Sequence, residues 1–243
     1  MIVERFSDKA DLFRRAAGMF VDSATRAIAK KGFFSVALTG GNSPRGLHEL
    51  LSLPEYSDQI EWDKVLVFWG DERWVPLSDQ RSNARMAFES LLDRVNIPAS
   101  NIFPMYSGSA SPEEFAKYYD ELLAERLGEE RKFDLIFLGM GPDGHTASIF
   151  PGSPVVHDHS KAVKTFFLKE QDMYRITLTA PLINGADSVI FMVFGEDKAH
   201  ALKEVLYGEL NPDLYPAQLI RESKGEVHWL VDEAASAQIQ TQE

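Results

Sequence analysis

The chain has 243 residues, no cysteine, and 37 acidic against 25 basic residues, for a formal net charge of −12 at pH 7. The lack of cysteine excludes a disulfide framework, a thiolate nucleophile and Cys-ligated zinc or iron–sulfur sites. The excess of acidic residues argues against binding to nucleic acid or to an anionic membrane. Hydrophobic residues make up 44% of the chain and charged residues 26%, which is typical of a globular protein with a substantial core.

The length and organisation of the chain predict a single domain over residues 1–243. α/β folds often reach this size as one unit, although two small domains would also fit the length. The sequence contains no internal repeat, low-complexity tract or long linker. The N-terminal residues lack the apolar segment of a signal peptide, and no apolar run approaches the ~20 residues that cross a bilayer. We therefore expect a cytoplasmic protein.

Short apolar runs alternate with helix-period segments, which predicts an α/β fold with a mostly parallel twisted sheet and helices on both faces. The first helix is predicted over residues 8–31, where apolar side chains recur on one face before Gly32. The further elements, in chain order, are a strand at 34–39, a helix at 45–51, a strand at 65–69, a helix at 84–95, a helix at 111–127 that opens with the capping-box motif SPEE, a strand at 133–138, a loop at 151–161, strands at 174–179 and 188–194, a helix at 196–207, a loop at 208–224 and a strand at 227–231.

Glycine-rich or charged clusters follow four of the predicted strands, directly after Thr39, Trp69, Leu138 and Phe194. In open α/β sheets, ligands bind in the crevice beyond the carboxyl ends of the strands. We therefore expect these clusters to converge on one site. The alternative is that each cluster is only an ordinary turn between a strand and a helix.

The motif TGGNSP at 39–44 joins a predicted strand to the start of a helix. Gly40 and Gly41 would let backbone N–H groups approach an anion, and the helix dipole favours negative charge. We predict a phosphate-binding loop formed by Gly40, Gly41, Asn42 and Ser43. It is not a P-loop, because no Gly-Lys-Ser/Thr follows, and it is not a nucleophile elbow, because an arginine replaces the second glycine. Ser43 would equally fit a helix N-cap.

The loop after the predicted strand at 133–138 carries the best candidates for acid–base chemistry. Residues 139–144 formally match the dinucleotide-binding glycine pattern, but the prolines at 151–154 leave no room for the helix that such a site requires, so no cofactor is expected. Histidine titrates near neutrality, and His145 is therefore a candidate general base. Asp143 could orient the imidazole or bind a substrate hydroxyl.

Three cations near strand or helix ends are candidate partners for an anionic substrate. Arg73 follows a strand, where a partly buried guanidinium can bind an oxyanion or carboxylate through two nitrogens. An acidic protein that binds a phosphorylated molecule must supply local positive charge, which favours Arg175 and Lys198 as phosphate partners. Ordinary surface ion pairs are the alternative for each of them. His157 and His159 have no third ligand at a suitable spacing, so we expect no metal site.

The chain contains, in this order, the segments LTGGNSP at 38–44, GDERWVP at 70–76, GMGPDGHTASIFPG at 139–152 and RITLT at 175–179. These segments and their order resemble the 6-phosphogluconolactonase family, over essentially the whole length of the chain. The resemblance implies a Rossmann-like α/β fold shared with glucosamine-6-phosphate deaminase, and a cytosolic, metal-independent hydrolase of the pentose phosphate pathway. Its partner would be a small molecule, a phosphorylated sugar lactone, with no nucleic acid, membrane or cofactor, and the protein would be a monomer or weak homo-oligomer.

The resemblance also suggests roles for the candidate residues. The substrate phosphate would bind backbone N–H groups of the glycine-rich loop, with Arg175 and Lys198 neutralising it. His145 would take a proton from the water that attacks the lactone carbonyl and return it to the departing ring oxygen. Asp143 would hold the imidazole or a sugar hydroxyl, and Arg73 would contact the sugar acid or the developing oxyanion.

Two alternatives remain at this stage. Glucosamine-6-phosphate deaminases share the Asp-Gly-His element but continue to a glutamate, and Phe150 stands at that position here. An apolar ring cannot transfer protons, which disfavours deamination. The second alternative is a sugar-phosphate sensor, although no helix-turn-helix motif or basic surface accompanies the loop. Asn42 and Ser43 replace the more common Ser-Thr, which makes a side-chain hydroxyl contact at Asn42 doubtful.

Overall fold

The computed structural model describes residues 1–41 and 44–239, and these contain nine strands and seven α-helices. The strands are β1 (Ile2–Phe6), β2 (Phe34–Leu38), β3 (Val65–Trp69), β4 (Asp71–Arg73), β5 (Leu135–Leu138), β6 (Val163–Leu168), β7 (Met173–Leu178), β8 (Ser188–Val193) and β9 (Glu226–Asp232). The helices are α1 (Lys9–Lys31), α2 (Arg45–Leu51), α3 (Pro54–Ser57), α4 (Asn83–Ala87), α5 (Pro112–Leu127), α6 (Ala180–Ile183) and α7 (Ala199–Tyr207).

Six strands form a sheet in the order β1-β9-β8-β5-β2-β3, and every pair in it is parallel. All residues of β2, β5 and β8 are buried. Both faces of the central strands are therefore covered by other elements, as parallel sheets require. The predicted α/β class with a mostly parallel sheet is confirmed.

A second, antiparallel sheet of three strands, in the order β4-β7-β6, is a feature that the sequence analysis did not predict. The predicted strand at 174–179 exists as β7, but it pairs antiparallel with β4 and β6. No strand was predicted at β1, β4 or β6. β4 is only three residues long and entirely charged, and β1 and β6 are partly exposed, so none of them carries a strong apolar signal.

Gly70 is the point at which the chain leaves one sheet and enters the other. Its N–H donates to the carbonyl of Leu38 at 2.8 Å, and its carbonyl accepts from the N–H of Leu178 at 2.9 Å. The short strand β4 therefore begins at the carboxyl end of β3 and stays beside the ends of the parallel strands. This connection brings Arg73 to the edge of the sheet where ligands bind in such folds.

The two longest helices agree with their predicted ends. Asp8 caps α1 by accepting from the N–H of Ala10, and Gly32 ends it in the left-handed region at φ 85°. Ser111 and Glu114 form the predicted capping box of α5.

Other helical predictions are only partly correct. The helix predicted at 84–95 is the short α4 followed by a π-helical turn at Phe88–Leu92, and the one predicted at 196–207 begins with a 3-10 turn at Glu196–Lys198 before α7. Each of the two predicted loops contains a 3-10 segment, at Pro154–His157 and at Pro216–Glu222.

Most of the buried apolar side chains form one cluster that includes both sheets, with Phe68 and Phe137 from the parallel sheet and Ile176 from the antiparallel one. Helices in the described residues all fall short of the combined length and hydropathy that a membrane span needs.

Candidate active site

The clusters that follow the predicted strands contribute to one pocket at the carboxyl edge of the parallel sheet. Its lining includes residues from each of the four strand ends, and the cavity measures about 220 Å³. Of the predicted site residues, six line the cavity: Gly40, Gly41, Arg73, His145, Arg175 and Lys198. Asp143 lies directly behind His145, and the predicted contacts of Asn42 and Ser43 fall outside the described residues.

His145 is held by Asp143 in a defined orientation. Nδ1 of the imidazole lies 2.6 Å from Oδ1 of Asp143, and the backbone N–H of His145 donates to the same oxygen at 3.2 Å. Half-burial raises the pKa of Asp143, but the hydrogen bond and charge of His145 outweigh this and bring that pKa below its usual value. A carboxylate at Nδ1 favours the tautomer with its proton there, which leaves the lone pair of Nε2 available.

The loop around His145 depends on close packing at a glycine. A Cβ at Gly141 would lie 2.2 Å from Nδ1 of His145 and 2.5 Å from Oδ1 of Asp143, so only glycine leaves room for the pair. The N–H of Gly141 also donates to the carbonyl of His145 at 2.9 Å, which closes the turn. On one face of the imidazole, Phe150 stacks with its ring centroid 4.2 Å away. The imidazole therefore has little freedom to rotate.

The guanidinium of Arg73 is held in place by hydrogen bonds from Nη1. Nη1 donates to the carbonyl of Arg81 at 2.9 Å and to Oδ1 of Asn83 at 2.8 Å. Nε is buried and has no partner among the described residues. A buried donor without a partner is costly, and in a pocket it is typical of a group that bonds to a ligand.

Arg175 lines the pocket, although only 2% of its surface is exposed. Nη2 pairs with Oδ2 of Asp71 at 2.8 Å, Nε donates to Ser148 at 2.8 Å, and Nη1 donates to Gln171 at 3.1 Å. Burial lowers the pKa of Arg175, although the negative charge of Asp71 opposes that shift. Much of the positive charge that sequence analysis assigned to a substrate phosphate is thus shared with a buried carboxylate.

Gly40, Gly41 and Lys198 also line the pocket. Lys198 belongs to the 3-10 turn after β8 and pairs with the neighbouring Asp197. This turn is anchored through Gly195, whose N–H donates to both carboxylate oxygens of Asp232 at 3.1 Å. Gly41 has φ 87°, a left-handed conformation that favours glycine. Glycine therefore stands at a position whose backbone conformation other residues rarely adopt.

The sequence analysis did not identify the polar side chains that, among the described residues, bond to the guanidinium groups of Arg73 and Arg175. Asn83 bonds to Arg73, Ser148 bonds to Arg175, and Asp71 pairs with Arg175. Asp71 and Ser148 lie within segments that carry the family resemblance, so the sequence could have identified them as candidate site residues. Asn83 had no such signal, because its contacts depend on how α4 packs against β4.

His48 is more deeply buried than His145, which is only partly buried. His48 lies on α2, is 1% exposed and bonds to Ser90. Burial lowers its pKa to about 3, so it is neutral near physiological pH and belongs to the packed interior.

Known proteins share the sequence pattern and the fold of this chain. The family described as glucosamine-6-phosphate isomerases/6-phosphogluconolactonase matches residues 7–229. A 6-phosphogluconolactonase from Synechocystis sp. is 41% identical over 237 residues, which cover 96% of both chains. The solved 6-phosphogluconolactonase from Trypanosoma brucei has a TM-score of 0.85 and 27% identity over 98% of both chains. A monomeric glucosamine-6-phosphate deaminase also reaches a TM-score of 0.85, over 98% of this chain and all of its own, but at 20% identity it is evidence of the fold alone. This chain belongs to the glucosamine-6-phosphate isomerase/6-phosphogluconolactonase family.

Proposed function

We propose that this protein is a 6-phosphogluconolactonase, which hydrolyses 6-phospho-D-glucono-1,5-lactone to 6-phosphogluconate in the pentose phosphate pathway. The observation that carries the proposal is the imidazole of His145, which has Nδ1 on Asp143, lines the pocket, and has no partner for Nε2 in the described part of the chain. A relative of this chain from Synechocystis sp., 41% identical over nearly the full length, is named 6-phosphogluconolactonase.

Substrate binding would use the cations and backbone N–H groups that line the pocket. The phosphate would bind to backbone N–H groups of the loop formed by Gly40, Gly41, Asn42 and Ser43, close to Lys198. Arg175 would act mainly through its long-range positive charge, since its nitrogens already have protein partners. Anchoring the phosphate would direct the lactone carbonyl toward His145.

The chemistry would require one base and one stabiliser of negative charge. Nε2 of His145 takes a proton from water as the water oxygen forms a bond to the lactone carbonyl carbon. The tetrahedral oxyanion that results lies near Arg73, whose buried Nε lacks a partner among the described residues. When the intermediate collapses, the bond to the ring oxygen breaks and that oxygen receives the proton from the imidazolium. Asp143 stabilises the imidazolium while it exists.

Deamination is less compatible with the site. Phe150 stands where the deaminases carry a glutamate, and its ring stacks against His145 at 4.2 Å. No proton can be exchanged through this ring.

We propose a cytoplasmic protein that acts on a small molecule, and the net charge of −12 argues against binding to nucleic acid. For the assembly we propose a monomer or weak homo-oligomer, which light scattering after size exclusion would measure.

The test of the function is acid release from freshly prepared 6-phosphogluconolactone, measured above the spontaneous rate. We expect His145→Ala to lower kcat by about 10²–10⁴, the usual contribution of a general base. His157→Ala is the matched control, because His157 is exposed and does not line the pocket. Near-normal hydrolysis by His145→Ala would refute its role, and ammonia release from glucosamine-6-phosphate without lactone hydrolysis would favour the deaminase.

A further inference from the structure

Asn83, at the start of α4, lies between two parts of the proposed substrate site. Its side chain is almost fully buried, at 1% exposure, and yet borders the pocket. Oδ1 accepts from Nη1 of Arg73 at 2.8 Å, and Nδ2 donates to the carbonyl of Asp71 at 2.9 Å. The carboxamide therefore determines where one end of the Arg73 guanidinium lies.

The same carboxamide occupies the space beside Gly40 in the glycine-rich loop. A Cβ built on Gly40 would lie 1.8 Å from Oδ1 of Asn83 and 2.0 Å from its Cγ. Gly40 does not adopt a left-handed conformation, so it is the space taken by Asn83, and not the backbone, that requires a glycine here. Asn83 is thus in close contact with the loop on one side and with Arg73 on the other.

Asn83 is itself fixed by the buried carboxylate of Glu72, a group that the proposed mechanism does not use. Glu72 accepts from the backbone N–H groups of Arg73, Asn83 and Ala84, each at 2.8 Å, and from the hydroxyl of Ser82 at 3.0 Å. Glu72 is fully buried, and these four donors offset the cost of burying it. The start of α4 is therefore tied rigidly to β4.

We propose that Asn83 is a positioning residue that sets the spacing between the Gly40 loop and the guanidinium of Arg73. The inference rests on the proposed function, in which the loop holds the phosphate and Arg73 lies at the lactone carbonyl. A substrate held at both ends reacts only when the two contacts have the correct separation, and a displacement of about 1 Å can cost on the order of 10²-fold in rate.

The experiment is a double-mutant cycle of Gly40→Ala and Asn83→Ala, with lactone hydrolysis as the readout. Gly40→Ala should lower kcat/KM by about 10²-fold, because the added methyl must displace the carboxamide. Asn83→Ala should lower kcat by about tenfold or more while the inhibition constant of inorganic phosphate changes less than about threefold, because the loop alone binds phosphate. In the Asn83→Ala background, Gly40→Ala should then add less than about threefold, since its methyl has room.

Gly18→Ala is the matched control, because no atom lies within 4 Å of the added methyl, and it should leave activity unchanged. If thermal melting shows that Asn83→Ala is unfolded, Asn83→Ser replaces it in the cycle. Wild-type kcat in the folded Asn83 variant, or an equal effect of Gly40→Ala in both backgrounds, would overturn the inference. An inactive wild-type protein would instead contradict the proposed function, so the two failures are distinct.

Discussion

The candidate base depends on a few close contacts around one imidazole. Asp143 holds Nδ1 at 2.6 Å, Phe150 covers one face, and Gly141 provides the space that both groups need. The types of the residues in this arrangement were evident from the sequence, since an aspartate two residues before a histidine in a glycine-rich turn predicts such a pair. The stacking of Phe150 was not, because a side-chain direction within a loop follows from the surrounding packing.

Replacing Asp143 by Asn tests the pairing directly. The substitution keeps the size of the side chain but removes the charge that stabilises the imidazolium, and its amide can hold the wrong tautomer. We expect kcat for lactone hydrolysis to fall by on the order of 10²–10⁴. Asp213→Asn is the matched control, because Asp213 pairs with the exposed His157 at 2.9 Å, away from the pocket lining. Equal activity of the two variants would show that the His145–Asp143 contact has no part in the reaction.

At the level of secondary-structure elements, the antiparallel sheet connects distant segments to the edge of the parallel sheet. Gly70 hydrogen-bonds to both sheets, and β4 carries Asp71 and Arg73 into the site. The buried pair of Asp71 and Arg175 then joins β4 to β7 across 104 positions of the chain. Helix ends such as the capping box at Ser111 were predictable, because the groups that form them are four residues apart or fewer.

We expect Asp71→Asn to destabilise the protein by about 3–5 kcal/mol, because it leaves the guanidinium of Arg175 buried without a countercharge. The measurement is the free energy of unfolding in urea. Asp79→Asn is the control, because Asp79 pairs with Arg81 on the surface, where an ion pair contributes little. A loss below about 1 kcal/mol at Asp71 would mean that the pair does not hold the two strands together.

On the scale of the whole molecule, the apolar core is continuous between the two sheets, which supports our proposal of a single domain. Such a chain should unfold in one cooperative transition, and any buried group that resists ionisation should then affect the stability of the entire fold. His48 is such a group, since its pKa is lowered from 6.5 to about 3 by burial and, to a smaller extent, by the charge of Arg45.

His48 should therefore make the protein sensitive to acid. The unfolded chain binds a proton at His48 below its ordinary pKa of 6.5, whereas the folded protein does so only near pH 3, so stability falls as the pH decreases through this window. The slope from this one group is about 1.4 kcal/mol per pH unit. We expect His48→Gln to remove that slope in urea unfolding between pH 6 and pH 4, and the exposed His157→Gln to retain it. An unchanged slope in His48→Gln would contradict the assignment.

The sequence by itself determined the class of fold, the two long helices, the glycine-rich turn before the candidate base and the glycine-rich segment predicted to bind phosphate. These features depend on residues a few positions apart, where periodicity, capping and backbone freedom act locally. Only the tertiary structure decided that Arg175 pairs with Asp71, that β4 and β6 build a second sheet, and that Asn83 occupies the space beside Gly40. Such contacts join segments far apart in the chain, and their partners are selected by packing and by the burial of charge, which no local pattern of residues encodes.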